Sequence, residues 1–169
     1  MARRKSTSRP TGPARDTGRG APPAELLSHV GFLLNRAALL VREDFAEALR
    51  PFKLTPRHYG VLTYLAEAGP CSQQEIGERV LADRTTMVNV VDDLERLGLA
   101  CRAPQPGDRR AYSVHLTGKG RQMQARAQSA ARAVNREFLQ GLSAREQREL
   151  RDLLRRVVLA RYAGHDGGR

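Results

Sequence analysis

The chain is poor in the residues that staple, anchor or react. Its 169 residues include two cysteines, Cys71 and Cys101, far apart and in no C-x-x-C pair. A chain of this length buries a core without disulfides, so both thiols are expected to be structural. No secretory leader is evident, and a reducing cytoplasm is the expected compartment. No apolar run nears the roughly 20 residues that span a bilayer, so a soluble protein without membrane contact is expected. The histidines His29, His58, His115 and His165 show no H-x-x-x-H or Cys/His spacing, which argues against a metal site. G-x-S-x-G, H-E-x-x-H and a phosphate-cradling glycine loop are missing, and no histidine stands beside a plausible nucleophile. No enzyme, catalytic residue or cofactor is expected.

What the chain has in excess is positive charge, a formal +11. Residues 1–23 hold six basic side chains (Arg3, Arg4, Lys5, Arg9, Arg15, Arg19) against the single acid Asp16, which is +5 of that total and leaves +6 for the rest. Clustered Lys and Arg displace counterions from phosphates, so a polyanionic partner is the first hypothesis. Plain solubility is the competing one, and charge alone does not separate them. The segment 1–23, rich in Arg, Gly, Pro, Ser and Thr, buries too little apolar surface to order and is expected to be a disordered tail. Residues 163–169 are expected to fray.

From Ala24 the apolar residues Leu26, Val30, Leu33, Leu34, Ala37, Val41 and Phe45 recur at helical spacing until Pro51, predicting one helix of about 27 residues. Leu27, Phe32, Ala38 and Leu40 widen its apolar stripe beyond what a lone surface helix needs, so a second subunit is a candidate neighbour. Next, Thr55 and Pro56 open a short helix with Tyr59, Leu62, Leu65 and Ala66 inward, stopped by Gly69. Ser72 and Glu75 form a capping box for a two-turn helix ending near Val80. Asp83 then caps another, with Met87, Val90, Val91, Leu94 and Leu97 inward and Gly98 as terminator. Two helices about three residues apart make a helix-turn-helix.

The outward face of the second of these helices carries Arg84, Thr85, Thr86 and Asn89 on its first turns, with Asp92, Asp93, Glu95 and Arg96 further back. A polar, acid-free helix start is what a major groove accepts: Asn pairs with adenine, Thr touches a thymine methyl or a phosphate, Arg reaches guanine or backbone. An amphipathic surface helix with a polar first turn is the plain alternative. Leu99–Ala103 and Ala111–Leu116 then read as a hairpin, the second strand alternating Tyr112, Val114 and Leu116 against Ser113 and His115, with Pro104, Pro106 and Gly107 in the turn. Its tip projects Asp108, Arg109 and Arg110. Guanidinium groups suit a narrow minor groove, although a solvated loop would have the same composition.

Thr117 is the expected cap of a long helix with a narrow seam of Met123, Ala127, Ala131, Val134 and Phe138. Gly141 and Leu142 end it, and Ser143 with Glu146 opens a last helix striped by Leu150, Leu153, Leu154, Val157 and Val158. The expected fold is mainly α with a small β-wing: a winged helix-turn-helix over 52–116 inside an ordered domain of 24–162, flanked by dimerisation helices at 24–51 and 117–162. Packing within one chain is the alternative use of those helices.

The segment DRTTMVNVVDDLERLGLACRAPQPGDRRAYSVHLTGKG, residues 83–120, resembles the MarR family of bacterial winged helix-turn-helix regulators, and the likeness extends over about residues 25–160. The resemblance implies that Thr85, Thr86 and Asn89 face the major groove, that Arg110 enters the minor groove and that Asp108 orients it. It also implies a homodimer on a pseudo-palindromic double-stranded operator, usually repressing transcription, and release by a small, often aromatic or phenolic, effector. Phe32, His58 and Tyr59 are candidate walls of an effector pocket, with core packing the favoured reading of all three. Peroxide-sensing relatives place a cysteine near the start of the first helix, and residues 24–50 contain none. A redox-responsive regulator using Cys71 or Cys101, and a nonspecific architectural DNA-binding protein, are the alternatives.

Overall fold

The computed structural model describes residues 21–105 and 108–162, with the backbone alone at residues 105, 108–111 and 161. Residues 1–20, 106–107 and 163–169, which include most of the expected tail, the expected turn residues Pro106 and Gly107 and the expected frayed end, lie outside the described residues. The chain divides into two compact units, Met1–Ala37 and Ala38–Arg169.

In the first unit, the single helix expected from Ala24 to Pro51 is interrupted. A short α1 (Ala24–Leu27) precedes α2 (Val30–Leu49), whose later turns belong to the second unit. The break lies at Ser28, whose hydroxyl donates to the Glu25 carbonyl at 2.6 Å while its own N–H donates to the same oxygen. A serine side chain that competes for the backbone ladder in this way tightens the turn and ends the α-helical bonding. Leu26, Leu27, Val30, Leu33 and Leu34 are exposed.

Within the second unit, Arg50–Phe52 tighten into a 3-10 turn around Pro51 and Lys53 adopts the left-handed conformation (φ 57°), ending α2 before the proline. Helix α3 (Pro56–Ala68) is capped by Thr55 and stopped by Gly69 at φ 80°. Its buried face is His58, Val61, Leu62 and Leu65, with Tyr59 half-buried. Ala66, expected inward, is exposed, because the buried arc is centred on His58 and Leu65 and leaves it at the rim. Helix α4 (Gln73–Val80) has the reciprocal Ser72–Glu75 box, and α5 (Arg84–Arg96) follows three residues later under Asp83. Close packing of the two depends on Gly77: a Cβ there would meet the Ala82 carbonyl oxygen at 3.1 Å.

Gly98, at φ 69°, turns the chain from α5 into an antiparallel hairpin of β1 (Ala100–Gln105) and β2 (Asp108–Leu116). Ala100 stands opposite Leu116 and Pro104 opposite Tyr112, with an irregularity between Pro104 and Gln105. Both strands run further toward the tip than expected, and Pro104 belongs to β1 and not to the turn. In a two-stranded ribbon each strand has a free outer edge, so a proline can sit there without removing a ladder bond. Cys71 bridges Val114 through two backbone hydrogen bonds and covers part of the outer edge of β2. The expected alternation holds for the inward Val114 and Leu116 but not nearer the tip, where Tyr112 is 55% exposed and Ser113 only 6%. Tyr112 has passed the end of the core, whereas the Ser113 hydroxyl is 2.9 Å from His115 Nε2.

Helix α6 (Gly118–Phe138) is capped by Thr117, and α7 (Ala144–Tyr162) begins at the Ser143–Glu146 box. The α6 seam is as expected: Ala127 is buried and Met123, Ala131, Val134 and Phe138 are half-buried. On α7 Leu150 is half-buried, but Leu153, Leu154, Val157 and Val158 are 36–59% exposed. Among the described residues, no helix is long and apolar enough to cross a membrane.

Candidate nucleic-acid interface

The start of α5 is fixed by Asp83. One carboxylate oxygen accepts the Thr86 N–H at 2.9 Å and the other accepts the Thr86 hydroxyl at 2.7 Å. These bonds hold the Asp83 carboxyl below its ordinary range. They also commit Thr86, which is half-buried against its own cap. Of the four polar residues expected at the helix start, Arg84, Thr85 and Asn89 therefore stand free on the surface, and Thr86 faces the cap.

At about 100° per residue, Arg84, Thr85, Val88, Asn89 and Asp92 share one arc of roughly 140°, opposite the buried Met87, Val90, Val91 and Leu94. Val88, 36% exposed, is an apolar side chain in the middle of this polar arc. The sequence does not single it out, because valine in a helix reads as core; its position one turn beyond Thr85 is the available signal.

The acids of the later turns are engaged within the domain. Arg102 of β1 pairs with Asp92 at 2.7 Å and with Glu95, and Glu95 also accepts the Arg102 backbone N–H at 2.6 Å. Asp93 pairs with Arg96 and lies 3.5 Å from His58 Nε2. The Arg96 hydrogen bond is the main cause holding the Asp93 carboxyl below its usual value. Asn89 and the helix start are thus left without a competing free carboxylate on the same turn.

His58 is buried in the core between α3 and α5. Its Nδ1 accepts the Thr55 N–H at 3.1 Å, and its own N–H donates to the Thr55 hydroxyl at 3.2 Å, which is a capping box with histidine in the place of glutamate. Burial lowers its pKa below 6.5, against an opposing pull from Asp93. Tyr59 packs edge-on against Phe45, ring centroids 5.1 Å apart. Of the three candidate effector contacts, His58 and Tyr59 thus serve capping and packing, and Phe32 belongs to the other compact unit.

The hairpin carries Asp108, Arg109 and Arg110 at the start of β2, with Asp108 opposite Gln105. Their side chains lie outside the described residues. The base of the hairpin is tied to both neighbouring helices. The Thr117 hydroxyl donates to the Gly98 and Leu99 carbonyls at 2.8 and 3.1 Å, and Lys119 Nζ donates to the Leu97 carbonyl at 2.8 Å. Gly120 sits so close that a Cβ would be 2.0 Å from the Leu99 carbonyl oxygen. The Leu-Thr-x-x-Gly run is therefore a clamp joining the end of α5, the first strand and the start of α6.

Cys71 is buried, its thiol 3.2 Å from the Gly69 carbonyl, and Cys101 is exposed on β1 opposite His115. Among the described residues, no group of three or more His, Cys, Asp or Glu could hold a metal ion.

A model of the MarR family matches residues 52–111, from the end of the 3-10 turn before α3 into the first residues of β2. A protein of Thauera aromatica assigned as a transcriptional regulator for the hcr operon is 33% identical over 133 residues, 78% of this chain and 80% of its own length. The transcriptional repressor CouR, solved on a 23-mer DNA duplex, superposes with a TM-score of 0.72 at 34% identity, covering 83% of this chain and 99% of that one. CouR from Rhodococcus jostii RHA1 has also been solved with p-coumaroyl-CoA. Rv2887 of Mycobacterium tuberculosis, solved with salicylic acid, superposes with a TM-score of 0.65 at 27% identity, covering 76% and 96%. With its capped helix-turn-helix, clamped wing and these likenesses along most of its length, the chain belongs to the MarR family of DNA-binding transcriptional regulators, which are not enzymes.

Proposed function

We propose that the protein is a homodimeric, sequence-specific repressor that binds a pseudo-palindromic operator and is released by a small aromatic molecule. The observation that carries this reading is the outward arc of α5. Arg84, Thr85 and Asn89 are exposed at the helix start, while every acid behind them is held by Arg102, Arg96 or His58. In the proposed complex this helix start enters the major groove, Asn89 reads a base edge, and Val88 meets a thymine methyl. Arg109 and Arg110 track the adjacent minor groove, with Asp108 orienting Arg110.

Dimerisation is supported by apolar faces left open in each unit. Leu26, Val30, Leu33 and Leu34 are exposed in the first, and Leu153, Val157, Val158 and Leu159 in the second. Such surfaces are larger than scattered exposed side chains and fit burial against a second copy. For the effector, the support is the salicylic acid and p-coumaroyl-CoA in the two related structures, both of which carry an aromatic ring.

Selection of duplexes from a random-sequence library by the full chain tests the reading. A repressor enriches one two-fold-symmetric site and prefers it to random DNA by about a thousandfold or more at physiological salt. Enrichment of no sequence would mark a nonspecific architectural binder. Salicylate added to the selected complex is expected to release the DNA; retention at millimolar salicylate and at p-coumaroyl-CoA would remove effector release from the proposal.

A further inference from the structure

Three elements of the winged motif meet on one side chain. Arg102 leaves β1 and lies against α5, where its Nη2 is 2.7 Å from Asp92 Oδ1 and its Nη1 pairs with Glu95. On the α4 side, the Gln73 amide oxygen accepts from Arg102 Nη2 and Nε at 2.5 and 2.6 Å, in the amide orientation that satisfies both groups. The backbone N–H of Arg102 donates to the other Glu95 oxygen at 2.6 Å. All three guanidinium nitrogens are engaged, with partners on both helices of the helix-turn-helix, while the main chain of the same residue is the first strand of the wing.

These bonds contribute little to fold stability. The Asp92 side chain is 56% exposed and that of Glu95 31%, and ion pairs so open to solvent are screened and add little to stability. What a planar, five-donor fork supplies is orientation, and a lysine ammonium of the same charge does not reproduce it. Asp92 also lies on the same arc of α5 as Thr85 and Asn89, so the side chain that fixes the strand is attached to the surface read against DNA.

From this geometry we infer that Arg102 is a positioning residue for operator recognition: it sets the wing strand at a fixed angle to α5, so that helix start and hairpin tip meet the duplex in one register. The inference rests on the DNA-reading assignment of the preceding section. In a register-matched complex, helix and wing contacts reinforce each other on the correct site. On random DNA the phosphate contacts are made in any register and lose little when the angle relaxes.

The test uses the full chain, a duplex selected by the wild-type protein from a random library, and a random-sequence duplex of equal length. Arg102→Lys keeps the net charge. It is expected to weaken the selected duplex at least about tenfold and the random duplex less than about twofold, with a thermal midpoint within a few degrees of wild type. Glu95→Gln, which removes an anchor without changing volume, is the second variant. Its ratio of selected to random affinity is expected to fall by about fivefold or more. An unchanged ratio in either folded variant, or equal loss on both duplexes, overturns the inference. Should Arg102→Lys fail to fold while Glu95→Gln keeps the wild-type ratio, Arg102 is structural only and the inference is again overturned. Failure of the wild type to enrich any site appears before a variant is made; it defeats the reading beneath the inference and the inference with it.

Discussion

Gly120 shows how one missing side chain holds three segments together. The Leu99 carbonyl occupies the place of its Cβ at 2.0 Å, and Leu116 Cδ1 stands at 2.8 Å from the same point. A backbone atom cannot step aside as a flexible side chain would. Gly120→Ala is expected to lower stability by about 3 kcal/mol, seen as a fall of roughly 10 °C in thermal midpoint; a midpoint within a degree or two of wild type would refute the clamp. His58 makes a second prediction at this scale. Its neutral ring accepts the Thr55 N–H, and burial lowers its pKa below 6.5. The unfolded chain therefore takes up the proton first as pH falls. The stabilisation is complete above about pH 6.5 and is lost progressively below it, as pH falls through the folded value. His58→Gln keeps an acceptor for the cap without a titrating ring. Between about pH 7.5 and pH 5, urea midpoints of the wild type should fall further than those of the variant; parallel falls would show that His58 does not contribute to the acid sensitivity.

At the scale of the element, α5 and the hairpin are expected to do different work on DNA. Asn89→Ala should mainly relax sequence preference, whereas Arg110→Ala should weaken all duplexes and reduce the salt slope of binding by about one unit. Binding titrations at several salt concentrations on selected and random duplexes separate the two, and identical profiles would contradict the division of roles. The elements themselves were legible where their signals are local. The caps at Thr55, Ser72, Asp83, Thr117 and Ser143 are formed by residues three positions apart, so a short window contains both partners. The break at Ser28 has no such local signal, because apolar periodicity continues across it and a serine hydroxyl can also sit harmlessly in a helix. Thr86 was expected to face outward for a related reason: spacing gives its direction on the helix but not the competing claim of Asp83 on its hydroxyl. Arg102 carries no local signal at all, since its partners lie seven, ten and twenty-nine positions earlier and converge only when the strand folds back on both helices.

For the molecule as a whole, the apolar stripe of α7 raises the question of what covers it. Leu153, Val157 and Val158 are each more than half exposed, and a second copy is the occupant the proposed function requires. Leu153→Glu with Val157→Glu is expected to yield a monomer by sedimentation and to lose operator affinity while the fold, read by circular dichroism, persists. A dimer of unchanged affinity would place the interface elsewhere. The formal +11 charge draws the protein toward DNA from any direction but does not set a register; in the proposed dimer, register comes from two helix starts and two fingertips held at a fixed spacing. Hydroxyl-radical footprinting of the full chain on its selected duplex measures that spacing directly. The expected result is two equivalent protected patches related by a two-fold axis, with half-site centres about 10 bp apart and flanking minor-groove protection from the hairpin tips. A single unsymmetrical patch, or full cleavage at the flanking minor grooves, would contradict it.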